Sequence, residues 1–257
     1  MAHTPAMELT ILGSGTAVPS LRRGAPGHLL RLGADRLMLD TGPGTMQRLI
    51  GQGVRHDEVT HIFYSHNHID HTGELASWLF TSRIPGRNRT RPLTLVGSPG
   101  FAGMLDGLRR LYGHWLEAAG YELTQITMRP GEAHSFGSFS VRAFPVQHID
   151  SSLAYRIETD RGATFAYTGD TDMCDSLVEL SREADLLLIE ASTPDARKLP
   201  GHLTPSEAGA VARQAGAGKV VLTHFFPECE GADMIGSLRR VYDGEAIMAE
   251  DGLKVAP

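Results

Sequence analysis

Cysteine is nearly absent from this chain: among 257 residues only Cys174 and Cys229 carry a thiol, and neither stands in a C-x-x-C pair. That scarcity excludes a disulfide framework and a cysteine-ligated zinc site, and a reducing, cytoplasmic location is expected. No apolar run is long enough to cross a bilayer, so no membrane partner is expected. The start, Met1-Ala2-His3-Thr4-Pro5-Ala6-Met7-Glu8, has neither the basic nor the apolar region of a signal peptide. Positive charge is in deficit, with 24 Lys and Arg against 30 Asp and Glu. A net charge of -6 argues against a protein that wraps long nucleic acid, where a basic surface supplies most of the affinity. A small anionic substrate stays compatible if charge is locally positive. No linker, low-complexity tract or charge block divides the chain, and the reading is one domain over residues 1–257.

Short apolar runs rich in β-branched and aromatic residues predict strands at 9–12, 28–32, 36–39, 61–64, 93–96, 138–144, 153–158, 164–167, 186–189 and 219–222. Helical periodicity appears between them, at 45–50, 73–81, 101–112, 175–183, 205–214 and 235–242. Strands and helices mixed in both halves make an α/β protein. There is a weak internal echo. Leu37-Met38-Leu39-Asp40-Thr41-Gly42 resembles Phe165-Ala166-Tyr167-Thr168-Gly169-Asp170, and Ile62-Phe63-Tyr64-Ser65-His66 resembles Val220-Val221-Leu222-Thr223-His224. Polar groups at the ends of buried strands build sites at the rim of such sheets.

What the chain does have is His66-Asn67-His68-Ile69-Asp70-His71, three imidazoles and a carboxylate within six residues of a strand end. Histidines two apart point to different sides of a helix, so a tight loop is the expected frame, presenting two pairs of ligands to two adjacent ions. Two ions need further donors. His148, Asp170 and His224 each follow a strand-like run and complete the supply.

These residues resemble the metallo-β-lactamase fold, and within it the branch that includes RNase Z and related phosphodiesterases. The match covers nearly the whole chain. It rests on the first strand and its Gly13-Ser14-Gly15 turn, Asp40-Thr41-Gly42-Pro43-Gly44-Thr45, the histidine motif, Arg91-Pro92-Leu93 through Gly100, His148, Gly169-Asp170-Thr171, Gly201-His202-Leu203-Thr204 and Thr223-His224-Phe225. The resemblance implies a four-layer αββα sandwich. It also implies that His66, His68 and His148 hold one divalent ion, that Asp70, His71 and His224 hold the other, and that Asp170 bridges them. Asp40 would orient a ligand histidine. Asp70 and His202 are the residues counted as catalytic, His202 as the acid that protonates a departing oxygen. Zinc is the first expectation for both ions, and manganese or iron also suits imidazole and carboxylate donors.

The tRNA-processing members carry a long arm between the third histidine motif and the bridging aspartate, and too few residues separate His148 from Asp170 for one. Pre-tRNA cleavage is therefore not expected. The function expected is a phosphodiesterase for a small cyclic or linear phosphodiester. The alternatives are a thioester, lactone or β-lactam hydrolase, an RNase Z-type endonuclease, and a non-catalytic metal-binding module. Arg22 and Arg23, after the glycine turn, are expected to clamp the anionic substrate. The basic stretch Arg83, Arg87, Arg89 and Arg91 reads as a solvated connection rather than a lid. Trp78 and Trp115 read as core, and Cys174 is given no role. Dimers among relatives make a homodimer an expectation without identified interface residues.

Overall fold

Strands that are almost wholly apolar need cover on both faces, and that requirement organises this chain. The computed structural model describes residues 7–86 and 88–257. Strands β1 (Met7–Gly13), β2 (Gly27–Leu32), β3 (Asp35–Leu39), β4 (His61–Phe63), β5 (Leu93–Gly97) and β6 (Leu123–Thr127) build a first sheet. Strands β7 (Ala133–Ser135), β8 (Phe139–Pro145), β9 (Leu153–Thr159), β10 (Thr164–Tyr167), β11 (Leu186–Glu190), β12 (Lys219–Thr223) and β13 (Glu245–Met248) build a second, and β14 (Lys254–Val255) returns to the edge of the first.

The two sheets share one pairing plan. In order β14-β1-β2-β3-β4-β5-β6, the first three pairings are antiparallel and the last three parallel. In order β7-β8-β9-β10-β11-β12-β13 the same holds. The echo seen in the sequence is thus half right. β3 and β10 are counterparts, and Asp40 N–H to Phe63 O (2.8 Å) is matched by Thr168 N–H to Leu188 O (3.2 Å). But β4 corresponds to β11, not to β12, so His66 and His224 are not equivalent positions.

Side chains alternate across the first sheet as the strand period requires. Leu30, Leu37, Leu39, Phe63 and Val96 join the larger core with the second sheet, while Leu29, Met38, Ile62 and Leu95 face a second core under the helices. Those helices are α1 (Thr45–Gly51), α3 (Leu75–Thr81) and α4 (Pro99–Tyr112), and Trp78 and Leu105 are buried beneath them. On the other side α5 (Ser176–Ser181), α6 (Pro205–Ala215) and α7 (Met234–Arg239) contribute Leu180, Val211 and Leu238 to the larger core. The result is the four-layer αββα order. Helix α6 shows local sequence writing its own boundaries: Thr204 and Glu207 form a reciprocal capping box, Pro205 opens the first turn and Gly216 closes the helix at φ 64°.

The short helix α2 (Ile69–Thr72) lies inside the histidine motif, where a loop was expected. His68 is its cap, and Asp70 and His71 sit on its single turn. The basic stretch is also less solvated than expected. Arg89 is fully buried, and its guanidinium donates to the carbonyls of His56, Val59, Arg91 and Pro92, while Arg83 donates to the carbonyls of His114 and Glu117. Arg87 lies outside the described residues. Trp78 is core as expected, but Trp115 is half-exposed beside Phe80. Among the described residues no helix is long and apolar enough to cross a membrane.

Candidate metal centre

The loops after β4, β8, β10 and β12 bring the histidine motif, His148, Asp170 and His224 together. His66 Nε2, His68 Nδ1 and His148 Nε2 converge, with His68 Nδ1 3.0 Å from His66 and 3.1 Å from His148. Asp170 Oδ2 stands at the middle: it lies 3.8 Å from His66 Nε2 and from His148 Nε2, and 3.3 Å from His71 Nε2 and from His224 Nε2. Asp70 Oδ2 is 3.6 Å from both His71 Nε2 and His224 Nε2. The donors thus fall into the clusters His66, His68, His148 with Asp170, and Asp70, His71 with His224. Asp170, His202 and His224 form a third, overlapping set.

The far side of each ring decides which nitrogen faces the centre. His71 Nδ1 pairs with Asp40 Oδ2 at 2.8 Å, His148 Nδ1 with the Gly201 carbonyl at 2.9 Å, and His224 Nδ1 with Ser192 Oγ at 2.9 Å. A ring that donates through Nδ1 presents an Nε2 lone pair inward. His71 Nε2 and His224 Nε2 are buried and have no hydrogen-bond partner. Buried polar atoms without partners are costly unless something else satisfies them, and a divalent cation between two imidazoles and two carboxylates does so. The donor set fits two divalent ions.

Asp40 follows β3 in the left-handed region at φ 58°, and His224 follows β12 at φ 63°. Such φ values are uncommon outside glycine and mark positions that the surroundings impose. Asp40 is wholly buried and accepts four bonds: from Ser65 N–H and Ser65 Oγ (both 2.7 Å), His71 Nδ1 (2.8 Å) and Tyr167 OH (2.6 Å). It joins the ends of β3 and β10 to the histidine motif. Gly169, at φ 57°, lets the sheets meet there, because a Cβ would lie 2.6 Å from that of Ser65. Gly42 does the same beneath α2, where a Cβ would lie 1.9 Å from the Asp70 carbonyl oxygen.

Charge balance follows the geometry. Burial disfavours the Asp170 carboxylate, but His224 and His71 outweigh it and hold it well below the usual range. Burial opposes a charged His71 too, yet Asp170 and Asp40 raise it well above the ordinary imidazole value. Burial, with His71 nearby, lowers His66 to about 2. Burial also works against Asp70, and the His224 and His71 rings bring it down to about 2.

Glu190, at the end of β11, was not picked out from sequence. It is almost fully buried and holds His202 Nδ1 at 3.1 Å and Leu203 N–H at 3.1 Å. Despite burial, this carboxylate raises His202 above the ordinary imidazole value. The His202 ring lies 4.9 Å from that of His148 and stacks 5.5 Å from that of His224. Ser192 Oγ touches Glu190, His202 and His224. Lys198 ties the same loop down through Asp172, Glu207 and the His202 carbonyl.

The arginines expected to clamp substrate are otherwise engaged. Both bind Glu230, Arg22 through Nη1 at 2.6 Å and Arg23 through Nε at 2.7 Å. Arg23 is buried, donates also to Ser14 Oγ and the Ala249 carbonyl, and lies over the Phe225 ring. The two share one carboxylate, and the buried Arg23 braces the loop. Cys174 contacts Ser176 Oγ at 3.3 Å and touches no member of the cluster.

Comparison with known proteins places these features among relatives. Residues 35–225 match the family model described as beta-lactamase superfamily domain. A protein named ribonuclease Z from Mycobacterium bovis (strain BCG / Pasteur 1173P2) is 31% identical over 246 residues, covering 86% of each chain. The metallo-beta-lactamase fold protein YhfI from Bacillus subtilis superposes with a TM-score of 0.84 at 25% identity, over 98% of this chain and 99% of that one. Human tRNase Z, short form, superposes with a TM-score of 0.78 at 26% identity, over 97% and 98%.

Proposed function

The chain belongs to the metallo-β-lactamase superfamily, in its ribonuclease Z-like branch, and from that premise we propose that this metal-dependent hydrolase is a phosphodiesterase acting on a small cyclic or linear phosphodiester. His66, His68 and His148 would hold one ion, Asp70, His71 and His224 the other, with Asp170 between them. When bound, two divalent ions, zinc by first preference, would supply Lewis acidity and make water in the site more acidic. The protein's own part is positioning. Asp40, the Gly201 carbonyl and Ser192 fix three imidazoles from behind, so the cluster is preorganised before substrate arrives.

The observation that carries the phosphodiester reading is His202, whose ring is stacked on the cluster and lies 3.1 Å from the Glu190 carboxylate, which raises it above the ordinary imidazole value despite burial. As water adds to phosphorus and gives up a proton to solvent, the bond to the leaving oxygen breaks and that oxygen takes a proton from His202. An alkoxide needs such help, whereas a thiolate departs without it. Metal-loaded protein should hydrolyse bis(p-nitrophenyl) phosphate, and His68→Ala and Asp70→Ala should abolish turnover with metal content measured alongside. Activity in fully metal-free protein refutes the proposal. A parallel panel of thioester, lactone and β-lactam separates the carbonyl hydrolases.

A second reading has a specific observation behind it: the mycobacterial relative at 31% identity bears the name ribonuclease Z. RNA cleavage belongs in the same panel, although residues 148–170 are taken up by β9 and β10 and leave no room for an arm.

A further inference from the structure

Beside the metal cluster opens a cavity of about 680 Å³, large enough for a small organic ligand. His68 and Asp70 form one wall, and Val18, Pro19 and Ile69 give it apolar surface. Arg22 and Arg23 share the single carboxylate of Glu230. Two arginines line the cavity, Arg23 and Arg48 from α1, and Arg48 is the more exposed of the two.

The Arg48 guanidinium packs closely against Gly24 and Gly44. A Cβ on Gly24 would lie 2.0 Å from Arg48 Cζ and 2.1 Å from Nη2, and one on Gly44 would lie 3.1 Å from Nη1. Nη1 donates to the Pro43 carbonyl at 3.3 Å, and Nε lies 3.5 Å from Asp251 Oδ2. That carboxylate is shared, because it also accepts from Ser14 N–H, Ser14 Oγ and Gly24 N–H at 2.8–2.9 Å. Nη2 has no partner among the described residues. A planar fork held on two sides with a free edge is suited to an anionic oxygen pair.

We propose that Arg48 selects substrate by binding a second anionic group on the organic part of the phosphodiester, so that the preferred substrate combines a flat apolar moiety with an extra phosphate, as a phosphorylated nucleotide does. This rests on the phosphodiesterase reading above and adds a specificity residue to it. The test compares thymidine 5′-(p-nitrophenyl phosphate) with and without a 3′-phosphate. Wild-type protein should favour the 3′-phosphorylated ester by about tenfold or more in kcat/KM, mostly through KM, as one charge-assisted contact provides. Arg48→Gln should erase that ratio, and Arg48→Lys should keep part of it. Equal use of the two esters by the wild type, or an unchanged ratio in Arg48→Gln, overturns the proposal. Calorimetric binding of thymidine 3′,5′-bisphosphate against the 5′-monophosphate by metal-loaded wild type provides a readout free of turnover and of any variant. If neither ester is hydrolysed, the phosphodiesterase reading falls, and this binding preference alone upholds or overturns the anion site.

Discussion

Asp40→Asn isolates what a buried carboxylate does for the metal cluster. Asparagine keeps the shape and tolerates the left-handed backbone that Asp40 adopts, so backbone strain does not confound the change. The chemistry does change. Asp40 Oδ2 accepts from Ser65 Oγ, His71 Nδ1 and Tyr167 OH, and Oδ1 accepts from Ser65 N–H. An amide must put its NH₂ at one of those positions, so at least one donor meets another, and the charge facing His71 is lost. A hydrogen bond to a charged group contributes about 1.5–3 kcal/mol, and breaking a buried network costs roughly 3–5 kcal/mol. At about 2–4 °C per kcal/mol for a domain of this size, the melting temperature should fall by roughly 6–20 °C. With His71 no longer oriented, metal affinity should drop about 10–100-fold. Chelator competition with elemental analysis measures the second effect and calorimetry the first. Wild-type metal affinity in Asp40→Asn would refute the claim that this carboxylate orients the cluster.

Three further outcomes follow from the same geometry. Glu190→Gln and His202→Ala should both slow esters with poor leaving groups more than activated aryl esters, because only the former need a proton; equal losses on both classes reject the acid role. Stripping metal should lower the melting temperature, since the buried Nε2 atoms of His71 and His224 then lack a partner, and excess zinc should restore it; insensitivity to chelation in calorimetry contradicts the metal-centre assignment. His28 is fully buried with both ring nitrogens unpartnered, and burial lowers it to about 3. The unfolded chain therefore takes up a proton below about pH 6.5 that the folded chain does not, and stability declines as pH falls through that window. At pH 5 the deficit from this group is about 2 kcal/mol, so urea unfolding should show His28→Leu gaining that much on wild type between pH 7 and pH 5. A gap that stays constant with pH removes His28 as the cause.

The sheet interiors were legible because burial on both faces demands continuous apolar runs, and ten strands announced themselves that way. The four that did not are β6, β7, β13 and β14, which are the four sheet edges. Edges have one neighbour and partial exposure, so their sequences, Leu-Thr-Gln-Ile-Thr in β6 and Ala-His-Ser in β7, carry polar residues and no apolar run. Helix α2 escaped for another reason: four residues cannot display a 3.6-residue period, and Ile69 at its start is exposed.

In the site, a residue's visibility depended on whether its chemistry is local. The histidine motif and His148, Asp170 and His224 stand out because imidazole and carboxylate at strand ends have few other uses. Glu190 ends an apolar strand just as Asp170 follows one, but a lone glutamate there reads as an ordinary boundary. Its meaning depends on His202, twelve residues on, folding back onto it. Arg48 is harder still, since its significance comes from its packing against Gly24 and Gly44 and from Glu230 engaging the two arginines that looked better placed. The shared pairing plan explains how such residues meet. Strand ends of both sheets meet at one rim: the first sheet supplies His66, His68, Asp70 and His71 after β4, and the second supplies His148 after the antiparallel β8, Asp170 after β10 and His224 after β12. Neither half holds both complete donor clusters, and the centre exists only where the two sheets pack, which makes Gly169 and Asp40 at their junction as necessary to it as the donors themselves.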